Sequence, residues 1–120
     1  MDKTKNKITG NKGERIAADY LEDKGYKILE RNYELFIGEI DILVDDGKVL
    51  VIVEVKTVRG SAFGPAKGYV GPKKQKKLRD IARAVTQEYP KRTIRIDVVG
   101  IDLSDEENPI IEHIENAVEN

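Results

Sequence analysis

Apolar residues between Asn11 and about Lys24 recur at helical spacing, with Ile16, Ala17, Tyr20 and Leu21 on one side, which predicts an amphipathic helix closed by Gly25 as C-terminal cap. The period then changes. Tyr26 to Leu35, rich in Tyr, Ile and Leu, reads as a strand, and Ile40 to Val44 and Val49 to Val55 read as a hairpin turning at Asp46-Gly47. The second arm is apolar enough to be a central strand. Thr57 to Pro72 contains Gly60, Gly64, Pro65, Gly68, Gly71 and Pro72 without periodicity, a long loop for which a substrate-facing or mobile role is expected. Lys73 to about Tyr89 predicts a second helix with Leu78, Ile81, Ala82 and Val85 on one face, Pro72 suiting its first turn and Pro90 ending it. Thr93 to Ile101 gives a fourth strand, and Ile110 to Ile114 a short fifth after the polar break Ser104 to Pro109. The order αβββαβ(β) predicts an α/β fold in which a mixed sheet is flanked by helices.

Composition narrows the chemistry. A chain of 120 residues with 39% apolar content supports one domain, residues 1–120, around a single core. No apolar run approaches the length of a membrane span, and Met1 to Lys7 lead into no signal-peptide core, so a cytoplasmic location is expected. Cysteine is absent and His113 is the only histidine, which excludes disulfides, thiolate nucleophiles and Cys/His zinc clusters. Any bound metal must rest on oxygen ligands, which favours Mg2+ or Mn2+. The net charge of −1 conceals a segregation: Lys56 to Arg95 carries +10, Ile96 to the end −8, Glu34 to Val55 −5, and residues 1–33 +2. A basic middle beside an acidic pocket suits a phosphate-binding surface around a metal site.

The acids and lysine of Gly38-Glu39-Ile40-Asp41 and Glu54-Val55-Lys56 supply that pocket. Residues two apart on a strand share a face, so Glu39 and Asp41 point one way and Glu54 and Lys56 point one way. With Asp46-Gly47 as a two-residue type I′ turn, Asp45 pairs with Lys48, Asp41 falls opposite Ile52, and Glu39 falls opposite Glu54. All four polar side chains then lie on one side of the sheet, with the Asp41 and Glu54 α-carbons about 7 to 8 Å apart. Crowded carboxylates among Ile and Val repel one another, and a cation removes that cost. A metal held by Asp41 and Glu54, with Glu39 as an auxiliary acid and the Val55 carbonyl as a further ligand, would polarise a phosphodiester and activate water. Lys56 would position that water or stabilise the developing charge. The competing reading is a polar outer face on which Lys56 merely neutralises Glu54 or Asp41. Glu54 interrupts an otherwise apolar run, as a site residue would. Glu14 admits two readings of equal weight: N3 of a capping box with Asn11 as N-cap, or a further acid aimed at the metal.

Lys73, Lys74, Lys76 and Lys77 fall in the first turn and a half of the second helix, where the macrodipole disfavours cations unless an anion binds. With Arg59, Lys67, Arg79 and Arg83 they would track a nucleic-acid backbone. The intramolecular alternative lays the acidic segment Asp102 to Glu119 over these lysines. Asp97 could support the site from the next strand, but pairing with Arg95 or a solvent-facing position is expected ahead of that, and His113 is expected to be half-exposed. Tyr33 and Phe36 are either core or base-stacking residues, and Phe63 and Tyr69 could also stack on bases.

Taken together, Gly13-Glu14, Ala17, Leu21, Gly25-Tyr26, Arg31-Asn32, Gly38-Glu39-Ile40-Asp41, Val53-Glu54-Val55-Lys56-Thr57, Lys73 and Ile96-Asp97-Val98-Val99 resemble the YraN family of small bacterial endonuclease-like proteins. The resemblance runs from about Lys12 to Ile101. That family is similar to the archaeal Holliday junction resolvases, in the restriction-endonuclease-like superfamily marked by Asp…Glu-x-Lys. The resemblance implies an αβββαβ core, with Asp41, Glu54 and Lys56 at metal and catalytic positions and Glu14 at the resolvases' helix acid. Likeness to the resolvases also implies a homodimer. Val58-Arg59-Gly60 stands where the family more often has Arg directly after Lys-Thr. The expected function is a Mg2+- or Mn2+-dependent endonuclease acting on branched or otherwise structured DNA. A non-catalytic nucleic-acid-binding adaptor is the alternative. A third reading is an interaction module joining one subunit's acidic segment to another's basic helix.

Overall fold

The computed structural model describes residues 3–59 and 70–119. Helix α1 (Lys3–Asp23) is followed by strands β1 (Lys27–Leu35), β2 (Gly38–Asp45) and β3 (Leu50–Val58), helix α2 (Pro72–Glu88), and strands β4 (Ile94–Asp102) and β5 (Ile110–Ile114). The strands form one mixed sheet in the order β1-β2-β3-β4-β5. Neighbours are antiparallel except β3 and β4, which run parallel. A parallel pair cannot be closed by a hairpin, and α2 makes the crossover. The α/β architecture expected from the hydrophobic pattern is therefore present, and it is consistent with a restriction-endonuclease-like core. No helix among the described residues is long and apolar enough to cross a membrane.

Alternation along β3 and β4 builds a layer on each side of the sheet. Leu50, Ile52, Ile94, Ile96 and Val98 pack with Leu78, Ile81, Ala82 and Val85 of α2. Val51, Val53, Val99 and Ile101 pack with Ala17, Ala18 and Leu21 of α1. Each of these larger side chains contributes about 1.5–3 kcal/mol by leaving water. β3, covered on both faces, is thus a rigid support for what its C-terminal end carries.

Helix α1 ends in a Schellman arrangement. The Tyr26 N–H donates to the Leu21 carbonyl at 3.0 Å and the Gly25 N–H to that of Glu22 at 2.9 Å, with Gly25 at φ +91°, a conformation open to glycine. At its other end the helix starts at Lys3 rather than Asn11. Asn11 is therefore not an N-cap, and Glu14 lies inside the helix, which removes the capping-box reading.

The hairpin also differs from expectation. Asp46 Oδ1 accepts the Lys48 and Val49 N–H groups, both at 2.8 Å, and Asp45 Oδ1 accepts that of Gly47 at 2.8 Å. These side-chain bonds widen the connection to Asp46–Val49 and pair Asp45 with Leu50 rather than with Lys48. The register is displaced by two residues, which preserves the face assignments of β3.

Away from the hairpin's open end, a buried polar network locks β4 to α1 and β5. Asp97, fully buried, accepts from Arg95 Nε at 2.9 Å and the Asn116 N–H at 2.9 Å, and pairs with His113 Nε2 at 2.8 Å. Arg95 also reaches Asp46 at 3.1 Å, and Tyr20 Oη meets His113 Nδ1 at 3.1 Å. These bonds keep the Asp97 carboxyl below the usual carboxylate range despite burial, which acts the other way and is the largest single influence. The expected Asp97–Arg95 pair is present. The solvent-facing alternative fails, and His113, with its side chain only 4% exposed, is more buried than expected, because the Tyr20 and Tyr26 rings pack edge-on against it. The acidic C-terminal segment is built into the fold: Val118 is buried in the α2 layer and the Ala117 N–H donates to the Ile96 carbonyl at 2.8 Å.

Candidate active site

Glu54 and Lys56 share the parity of Leu50 and Ile52, so they leave β3 on the α2 side, beyond the point where the core ends. Asp41 arrives differently. On β2, Ile40 and Leu43 both pack in the α2 layer while Ile42 and Val44 pack in the α1 layer, so alternation breaks at Asp41. The facing residue in β1, Asn32, has φ +50°, a left-handed conformation that asparagine tolerates better than most residues. The β2–β3 ladder closes at Ile42↔Val53. Beyond it, the Asp41 carboxylate itself accepts the Val55 N–H at 2.8 Å. Asp41 thus occupies the seam where β2 and β3 part.

A side chain in that seam is reached from both layers. Gly13 lets α1 approach β3 closely, since a β-carbon there would overlap Thr57 Oγ1, one residue beyond Lys56. The close approach sets Glu14 against Asp41, with which it shares a hydrogen bond. Burial, followed by the charges of Asp41 and Glu39, raises the Glu14 pKa to about 7. In the amide orientation that satisfies its neighbours, Asn32 donates to Glu39 Oε1 at 3.1 Å and to Glu14 Oε1 at 3.2 Å. Glu39 pairs across β1 with Glu34, is exposed, and belongs with Glu14 on the α1 side. The expectation of four polar groups on one face is therefore corrected: Glu39 is on the α1 side, Glu54 and Lys56 on the α2 side, and Asp41 between them. Its cause is the kink at Asn32 and Asp41, which strict alternation does not foresee.

From the α2 side comes Lys74, whose Nζ lies 3.3 Å from Glu54 Oε1. Burial is the main cause raising the Glu54 pKa, with Asp41 adding to it, while Lys74 and Lys56 oppose. Burial likewise raises Asp41, against the Val55 hydrogen bond and the Lys74 charge. Glu14 and Glu54 thus each crowd the half-buried Asp41, and burial outweighs the cations Arg31, Lys74 and Lys56 around them. Lys56 itself is exposed. Among the described residues no group of three or more Asp, Glu, His or Cys is arranged to hold a metal ion by itself.

The basic residues divide. Lys73, Lys74 and Lys77 line a groove of about 550 Å³ with Gly71 and Pro72 at the start of α2. Gly71 caps that helix without a side-chain hydrogen bond, and no acid lies in its first turn. Lys76 is engaged by Asp80 at 3.0 Å and Arg83 by the same carboxylate at 2.9 Å. Arg59 pairs with Glu106 at 2.5 Å, and Lys12 with the same residue at 3.7 Å. Among the described residues the acidic segment thus forms salt bridges with Arg59, Lys12 and Lys24, whereas the α2 lysines form salt bridges only with Glu54 and Asp80. Lys67, Phe63, Tyr69 and most of the Thr57–Pro72 loop lie outside the described residues. Two features escape the sequence reading. Asn32 organises two acids, and its signal is an asparagine inside a strand, where that residue is depleted. Arg15 and Arg31 line a second groove, of about 410 Å³, with Asn11 and Lys12 beside Glu14; scattered over α1 and β1, they form no run to notice.

Residues 13–101 match the family described as "Uncharacterised protein family UPF0102", nearly the span over which the YraN resemblance runs. The chain is similar to a UPF0102 protein of Geotalea uraniireducens, 43% identical over 123 residues and covering 98% of this chain and 94% of the relative. One from Thermodesulfovibrio yellowstonii is 45% identical over 112 residues, covering 90% and 93%. Another from Geobacter sulfurreducens is 42% identical over 116 residues, covering 95% and 91%.

Proposed function

The chain belongs to the UPF0102 family, and from the acids gathered where β2 and β3 part we propose that it is a metal-dependent endonuclease acting on DNA phosphodiesters. One observation carries this reading: Glu14 of α1 and Glu54 of β3 each crowd Asp41 of β2 in a half-buried seam, and all three pKa values are raised. A scaffold gains nothing from that crowding, and a cation would relieve it. Mg2+ and Mn2+ fit the donor set. Mg2+ is commonly held by one or two carboxylates, its remaining positions filled by water and substrate phosphate, so Asp41 and Glu54 would suffice with the Val55 carbonyl. Glu39, exposed on the α1 side, is an outer acid. When bound, the ion supplies charge neutralisation at the phosphate and a more acidic water.

The chain's own residues do the rest. Lys56 stabilises negative charge developing on the phosphate. Glu14, titrating near neutrality, exchanges a proton with the attacking or leaving oxygen. Lys73 and Lys77, near a helix start that has no side-chain cap, hold the adjoining phosphates. Likeness to the Holliday junction resolvases adds branched or otherwise structured DNA as substrate and a homodimer as the working unit.

The test is a cleavage panel of single-stranded, duplex, flap and four-way DNA in Mg2+ and in Mn2+. Asp41→Ala, Glu54→Ala and Lys56→Ala should each lower cleavage by about 100-fold or more with folding intact. Wild-type protein that cuts none of these DNAs in either metal overturns the proposal. The Lys74–Glu54 contact favours a second reading, in which an internal counter-ion serves the acids and the protein is a non-catalytic nucleic-acid adaptor. Binding without cleavage, unchanged by Asp41→Ala, would select it.

A further inference from the structure

Leu35 pairs with Gly38, so Phe36 and Ile37 form the tip of the β1–β2 hairpin. Ile37 turns inward to the α2 layer, whereas Phe36 is fully exposed, at 106% of its reference area. An aromatic ring left in water at a hairpin tip costs solubility and contributes nothing to the core. Its surroundings indicate what it faces. Gly38 sits under α2 so closely that a β-carbon there would lie 2.9 Å from Lys77 Cε. Lys77 in turn lines the groove shared with Lys73 and Lys74. The hairpin tip that carries Phe36 therefore lies beside one end of a cationic groove.

We propose that Phe36 is a stacking platform for an unpaired nucleobase whose neighbouring phosphates lie along the Lys73–Lys77 groove. A π-face beside backbone-tracking cations is the recurring chemistry of single-strand recognition, and it accepts any base. A second protein chain fits less well. One phenylalanine side chain offers about 200 Å² or less, against about 800 Å² per partner in a stable interface. The other large exposed apolar residue among those described, Ile110, lies on β5 at the opposite edge of the sheet, so the two form no common patch. Resting on the nuclease reading, this inference refines the substrate to DNA with an unstacked nucleotide. Phe36 precedes Asp41 by five residues, at most about 18 Å even if fully extended. The unpaired base would accordingly lie within about five stacked base steps of the scissile phosphate.

The sequence contains no tryptophan, so Phe36→Trp creates a single-tryptophan protein whose emission reports stacking. Binding is followed in chelator, so that no metal-dependent cleavage intervenes, on blunt duplex and on duplex with a single-stranded tail. Tailed DNA should quench the emission of the Phe36→Trp protein, and blunt duplex should not. Phe36→Ala should weaken tailed-DNA binding by about tenfold and leave duplex binding unchanged. Unquenched emission from protein that is bound to tailed DNA, or equal losses on both DNAs, overturns the inference. A shift in sedimentation of Phe36→Ala without DNA also overturns it, assigning the ring to contact with a second copy. Because these readouts need no catalysis, quenching without cleavage in the separate panel would remove only the nuclease reading, and cleavage without quenching only the stacking platform.

Discussion

Glu14 ionises near pH 7 in the folded protein against an ordinary value of 4.5, because burial and then the charges of Asp41 and Glu39 disfavour its anion. Between those two values the folded state holds a proton that the unfolded chain has released, so stability falls as pH rises through the window. Below pH 4.5 both states are protonated and the cost vanishes; above pH 7 it is complete. Because the side chain is partly solvated, screening leaves about 1–2 kcal/mol of it. In chelator, the wild-type denaturation midpoint should fall between pH 5 and 7.5, and Glu14→Gln should flatten that fall. Asp41 and Glu54 titrate in the same direction, so part of the fall persists in Glu14→Gln, and the difference between the two proteins reads Glu14 together with its coupling to Asp41. Identical profiles would mean that the seam leaves Glu14 unperturbed.

At the scale of elements, the site depends on how near α1 lies to β3. Gly13 faces Thr57 with no room for a β-carbon, so Gly13→Ala must displace the helix and carry Glu14 away from Asp41. The overpacking should cost about 1–3 kcal/mol in chemical denaturation. Adding Thr57→Ala should recover part of that loss, because the colliding Oγ1 is removed, whereas simple additivity would deny the contact. Elements with strong local signals are legible in the sequence alone. Leu78, Ile81, Ala82 and Val85 between Pro72 and Pro90 admit one helix, and the apolar run before Glu54 admits one buried strand. What escapes is set by side chains bonding to backbone. Asp46 captures two amides and moves the register by two residues, and Asp41 replaces a ladder partner for Val55. The start of α1 escapes for another reason: its Lys-rich first turns carry no apolar stripe to mark a helix. Asp41, Glu54 and Lys56 are legible as a group because charge interrupts an apolar pattern there, but their division between two faces is not.

Across the whole molecule, charge is sorted by partner as well as by sign. Lys76 directs its charge to Asp80 within α2, and Lys74 directs its own to Glu54, while Lys73 and Lys77 line the groove without a salt bridge to a described carboxylate. A count of lysines would treat all four alike; the geometry does not. Each phosphate neutralised by a bound cation releases about 0.9 counterion from duplex DNA, and the slope of log affinity against log salt counts those contacts. The Lys73→Ala/Lys77→Ala double variant should therefore flatten the slope by about 1.8 and weaken binding to every DNA sequence alike. Lys76→Ala should leave the slope nearly unchanged, since its cation is already engaged by an acid that the same substitution frees. Anisotropy titrations of labelled duplex at several salt concentrations, in chelator, measure both. A Lys76→Ala slope that falls as far as that of a single groove lysine would show that the Asp80 pair opens on binding, and that phosphate contacts spread around α2 beyond its groove side.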